Sequence, residues 1–97
     1  MTGYLIADVT DVKDASLYQR YKPLGPASPQ ALDGTYLARG GSVTVLEGSW
    51  HPERIVVVRF DSAARAMQWW AWDEYRDARG LRQASTETNM IVVEGLA

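Results

Sequence analysis

Arg39 stands directly before a Gly40-Gly41 pair, and Glu47, Trp50 and His51 follow it closely along the chain. His51 is the single histidine. An unperturbed imidazole pKa of about 6.5 suits proton transfer near neutrality, so Glu47 and His51 together could make a base and its orienter. The competing reading is an exposed loop histidine before Pro52. Arg39 offers different chemistry, because a guanidinium can hold a carboxylate or enolate oxygen bidentately. Its alternative role is an interface arginine beside a strand bulge, since glycines inside a strand pattern mark bulges. Arg39-Gly40-Gly41 is no phosphate loop, as it lacks the Gly-Lys-Ser/Thr of that motif and opens no helix. Tyr18 and Tyr21 lie at helical spacing and face the sheet. With Tyr36 and Trp70 they either fill a core or line a space for a flat aromatic compound. Trp50 and Tyr18 are the residues expected to shape such a pocket.

The chain has 97 residues with 10 Lys and Arg against 12 Asp and Glu, a formal charge of -2. That balance gives no basic footprint for nucleic acid or for an anionic membrane. Cysteine is absent, so there is no thiolate metal site, disulfide framework or cysteine nucleophile. Neither a metal nor a cofactor is called for. The N-terminal residues lack a basic region and a long apolar run, so the expectation is no signal peptide. No stretch approaches the ~20 apolar residues of a membrane helix. The expected protein is cytoplasmic, with residues 1–97 forming one domain.

Positioning these residues requires definite elements. Residues 4–10 read as a strand. Asp11 or Asp14 caps a helix over 14–22 with Leu17, Tyr18, Tyr21 and Leu24 on one stripe. Pro23, Pro26 and Pro29 break the pattern, and Ser28-Pro29 opens a short helical piece over 29–33 that Gly34 ends. Residues 35–39 are a strand, and 42–47 resume extended structure after the glycines. Residues 48–54 turn, and 55–60 form a further strand. Asp61 or Ser62 caps a helix over 62–72, followed by a helical stretch over 74–84. Residues 89–94 are the last strand. In the longer helix Ala63, Ala66, Met67 and Trp70 take the inward face, with Trp69 to the side and Trp72 opposite. The order predicts an α+β, ferredoxin-like βαββαβ fold, a four-stranded antiparallel sheet with the helices on one face.

Alternation along the strands divides the sheet into two faces. Leu5, Ala7, Val9, Tyr36, Ala38, Val56, Val58, Phe60, Ile91 and Val93 form the set expected under the helices. The other set is apolar with one charge per strand: Asp8, Arg39, Arg59 and Glu94. Charges on a half-buried face suggest paired groups. Asp8, Arg59 and Glu94 are therefore candidates for a homodimer interface, with Arg39 either joining them or holding a small-molecule ligand.

Tyr36-Leu37-Ala38-Arg39-Gly40-Gly41, Val45-Leu46-Glu47-Gly48 with Trp50, and Pro52-Glu53-Arg54-Ile55-Val56-Val57 resemble a bacterial family of small domains of unknown function. Trp69, Glu74-Tyr75, Arg79, Leu81-Arg82 and Val93-Glu94-Gly95 extend the likeness over nearly the whole chain. The family lies in the dimeric α/β-barrel superfamily. The resemblance implies a ferredoxin-like subunit whose sheet packs on that of a second copy. The wider superfamily holds cofactor-free monooxygenases, lactone isomerases, haem-degrading enzymes and binding proteins, and fold alone does not choose among them. The expected function is a cofactor-independent enzyme or binder, monooxygenase- or isomerase-like, acting on a small acidic or aromatic compound. The alternative is a non-catalytic homodimeric module that binds a metabolite or protein. The three prolines and Trp70-Ala71-Trp72-Asp73 depart from the family pattern.

Overall fold

The computed structural model describes residues 1–21 and 28–97. Leu24, Pro23, Pro26 and the last residue of the expected first helix fall outside the described residues. The elements are β1 (Gly3–Val12), α1 (Ala15–Tyr21), a 3-10 turn (Ser28–Leu32), β2 (Thr35–Arg39), β3 (Ile55–Phe60), α2 (Ala63–Ala71), a second 3-10 turn (Asp73–Tyr75), α3 (Arg76–Ser85) and β4 (Thr86–Glu94). The strands form one antiparallel sheet in the order β2-β3-β1-β4. This is the expected ferredoxin-like α+β arrangement.

Local chemistry explains where the elements start. Asp14 caps α1, its carboxylate accepting from the Leu17 N–H at 3.1 Å. Ser62 caps α2, its hydroxyl accepting from the Arg65 N–H at 3.0 Å. Each satisfies an N–H that the first helical turn leaves without a partner. The 28–32 turn closes with Asp33 in the left-handed region (φ 66) and the Gly34 N–H donating to the Pro29 carbonyl at 2.9 Å.

Directly paired residues share a face, so the register assigns the two sides of the sheet. Leu5 stands between Val58 and Val92, and Ala7 between Val56 and Met90. These lie under the helices, with Leu5, Ala7, Val58, Phe60, Ala66, Trp69, Tyr75 and Ala78 forming the buried core. Ile6 stands between Val57 and Ile91, and Tyr4 between Arg59 and Val93. These form the outer face.

Four expectations are corrected. In β4 the inward residues are Met90 and Val92, not Ile91 and Val93, because four consecutive apolar residues carry no alternation to read. In β2 the register shifts between Tyr36 and Ala38. The bulge falls at Leu37, not at Gly40-Gly41, so Ala38 moves to the outer face and Arg39, opposite Val56, to the helix side. Residues 42–47 form no strand. Gly40 takes φ 71 and turns the chain, leaving Leu46 90% exposed. In α2 the inward tryptophan is Trp69, 3% exposed, while Trp70 is 42% exposed with Arg79 stacked on its ring at 4.7 Å.

Candidate functional site

The helices and the sheet enclose a cavity of about 60 Å³. Its floor is apolar, formed by Leu5, Ala7, Val56 and Val58 from the sheet. Its polar lining comes from four elements: Tyr18 and Tyr21 from α1, Tyr36 and Arg39 from β2, Arg54 before β3, and Arg82 from α3. The bulge at Leu37 brings Arg39 here, where its guanidinium lies 4.7 Å from the centre of the Tyr36 ring. Tyr18 and Tyr21 stack with ring centres 5.9 Å apart. Behind them Arg82 Nε donates to the Tyr75 hydroxyl at 3.3 Å.

Burial raises the pKa of Tyr21 far above the ordinary phenol value, and the neighbouring Tyr75 hydroxyl adds to the rise against the opposing pull of Arg82. Burial also raises Tyr36, with Arg39 pulling the other way. Both phenols therefore remain protonated at neutral pH, able to donate through the O–H and to accept at the oxygen. Arginine donates only. No histidine or carboxylate belongs to the described lining. The described lining thus carries guanidinium and neutral phenol groups and no strong base.

A phenol whose pKa is higher folded than unfolded keeps its proton longer in the native state. Its stabilisation is complete below the unfolded value of about 10 and is lost as pH climbs from there toward the folded value. Stability should therefore be flat up to that point and then fall by up to about 1.4 kcal/mol per pH unit for one such tyrosine. Urea titrations across alkaline pH check this. Tyr21→Phe should flatten the fall, and an unchanged slope in that variant would assign the effect elsewhere.

The candidate residues divide between the two sides of the sheet. Arg39 and Tyr18 meet in the cavity. Trp50 does not join them: its indole N–H donates to Asp8 Oδ2 at 2.7 Å, against the outer face. Asp8 is 5% exposed, and its Oδ1 has no partner among the described residues. Glu47 and His51 are exposed on the 40–54 segment and line no part of the cavity. Among the described residues Asp8, Arg39, Arg59 and Glu94 form no ion pair; the pairs present are Lys13–Glu87 and Arg65–Asp33. Arg59 stays on the outer face opposite Tyr4, whereas Glu94 opposes Gly3 on the helix-side parity. No cluster of metal-ligating side chains occurs among the described residues. None of their helices is long and apolar enough to cross a membrane.

Arg54, Tyr75 and Arg82 escaped the sequence reading as site residues. A signal existed for Arg82. Tyr75, Ala78, Arg82 and Ser85 recur at helical spacing and are all buried, so an arginine sits within an inward stripe.

A ferredoxin-like sheet with a small cavity beneath its helices, lined by tyrosines and arginines over an apolar floor, defines a small α+β domain. The chain belongs to the family described as Domain of unknown function (DUF1330), whose pattern matches residues 2–96. No curated protein matches it. Among solved structures it is similar to a protein of unknown function from Rhodopseudomonas palustris, at 17% identity and TM-score 0.74, covering 99% of this chain and 83% of that one. It also resembles a dimeric ferredoxin-like protein of unknown function from Bacteroides fragilis NCTC 9343, at 13% identity and TM-score 0.60, covering 97% and 96%. An ethyl tert-butyl ether D (EthD) family protein from Bacillus halodurans C-125 matches at 16% identity and TM-score 0.62, covering 99% and 100%. At these identities the likeness is one of fold.

Proposed function

We propose that this domain works as a homodimer and binds a small acidic or enolic molecule in the cavity between helices and sheet. The observation that carries the reading is the convergence of Tyr18, Tyr21, Tyr36, Arg39 and Arg82 on one enclosed space with an apolar floor. Guanidinium and phenol donors gathered around an apolar floor favour an oxygen that bears negative charge. Without a base in the described lining, the chemistry that fits is polarisation of an already acidic guest. Cofactor-independent oxygenation or isomerisation would use the cavity in that way. Simple sequestration of a metabolite would use it too, and a described lining without histidine or carboxylate favours binding over proton abstraction.

The second subunit is supported by the outer face. Ile91, Val93 and Leu37 are exposed there or at its edge, and Asp8 keeps an unpaired buried oxygen on that side. A buried acceptor left without a donor costs about 1–3 kcal/mol, which a donor from a second copy would remove. The Bacteroides fragilis relative is itself dimeric.

Native mass spectrometry of the gently purified protein tests both parts. The expected result is a dimer carrying a small bound species. Arg39→Ala should remain dimeric and lose that species. A monomer would remove the second subunit, and a variant that falls to monomer would move Arg39 from the ligand to the interface.

A further inference from the structure

Arg82 is 6% exposed, and among the described residues its side chain makes one hydrogen bond, to Tyr75. No carboxylate lies within ion-pair distance of it among the described residues. Residues 22–27, Lys-Pro-Leu-Gly-Pro-Ala, contain no Asp or Glu either. A guanidinium has five N–H donors, and a charge held out of water is costly unless it is paired. Arg39 is exposed and Arg54 half-buried, so water can solvate them. Among the described residues, Arg82 is the lining cation that is buried and has no ion-pair partner.

Arg82 also lies where two spaces meet. It lines the inner cavity, and together with Leu5 and Met90 it lines a second, open groove of about 550 Å³ between α2 and the edge strand β4. The groove is largely apolar, with Met67, Trp70, Ala71 and Ile91 on its walls. Its size falls within the range of small-molecule sites, about 300–1,000 Å³. One isolated guanidinium balances one negative charge, and an apolar channel leading to it accommodates an apolar body.

We infer that the ligand is a hydrophobic monocarboxylate whose head group pairs with Arg82 and whose apolar body lies in the groove between α2 and β4. This rests on the cavity reading above and specifies its guest. The carboxylate supplies the missing counter-charge. The hydrogen bond to the Tyr75 hydroxyl uses Nε and leaves the four terminal N–H groups of Arg82 for the guest.

The test is isothermal titration of the intact protein with naphthoate and decanoate, each beside its neutral amide. Wild type should bind the acids at least about tenfold more tightly than the amides, a difference set by the charge-assisted pair. Arg82→Met should erase that preference. With no ligand it should melt at or above the wild-type temperature, because an uncompensated charge has been replaced by an apolar side chain of similar length. Arg82→Lys should keep part of the preference, which guards against a Met variant that folds poorly. Equal binding of acid and amide by wild type would overturn the carboxylate assignment and leave an apolar groove that binds without regard to charge. Retention of the preference in Arg82→Met would overturn the role of Arg82. Failure of all four compounds to bind would overturn the inference, and native mass spectrometry then decides separately whether the cavity holds anything.

Discussion

Trp69→Ala should destabilise the domain by about 3–5 kcal/mol, the range for emptying a buried aromatic position. The side chain is 3% exposed and sits in a row of rings, 4.2 Å from Tyr75 and 6.1 Å from Phe60 between centroids. Ring pairs of this kind add about 0.5–1.5 kcal/mol beyond the area buried. A domain of this size has a total stability of only about 5–15 kcal/mol, so the loss is a large part of the whole. The adjacent Trp70→Ala is the control. Trp70 is exposed, and its chief contact is the Arg79 guanidinium on its face. Such an exposed contact is worth about 0.5–1 kcal/mol. Urea unfolding followed by circular dichroism should give a large drop in midpoint for the first variant and a small one for the second. The reverse order would mean that α2 is rotated by one residue from the orientation described.

That possible rotation is the ambiguity the sequence carried. Ala66 is the inward anchor of α2, and both Trp69 and Trp70 lie at helical spacing from it. Periodicity alone selected Trp70. The choice is made by the helix ending at Ala71, after which Trp72 is extended (φ -65, ψ 132) and the chain turns so that Tyr75 meets Trp69. A helix end and a turn are tertiary decisions that a hydrophobic stripe does not encode. The same holds for Arg39. Element order and strand positions could be read because apolar runs, caps and glycines mark them locally. The face that Arg39 occupies depends on one extra residue at Leu37, and a single bulge reverses everything beyond it. Trp50 and Asp8 are far apart along the chain, and no local pattern links them. Their hydrogen bond follows from how the 40–54 segment returns across the sheet. Arg82 was legible in principle, since an arginine within a buried stripe is itself a signal.

Gly3→Val should be the most damaging single change at a glycine. A Cβ added there would meet the Ala63 nitrogen at 2.4 Å, the Ser62 carbonyl carbon at 2.5 Å and the Ala63 Cα at 2.6 Å. All three are backbone atoms, so no side chain can swing aside. Relief requires moving the start of α2 off β1, against the Ser62 cap and the packing of Ala66 and Trp69 that follow it. Overpacking commonly costs about 1–3 kcal/mol, and a rigid backbone neighbour places this site at or beyond the upper end. Gly80 provides the contrast. It lies within α3, and a Cβ there meets nothing within 4 Å. Gly80→Ala should therefore stabilise by about 0.5–1 kcal/mol, because a mid-helix glycine has more freedom to lose on folding. Thermal melts of both variants measure the difference. A Gly3→Val protein that melts like wild type would show that α2 can shift outward at little cost. The groove between α2 and β4 would then be adjustable, and Arg82 would face a variable space. A severe loss would instead mark the contact between β1 and α2 as the rigid wall that fixes both the groove and the cavity behind it.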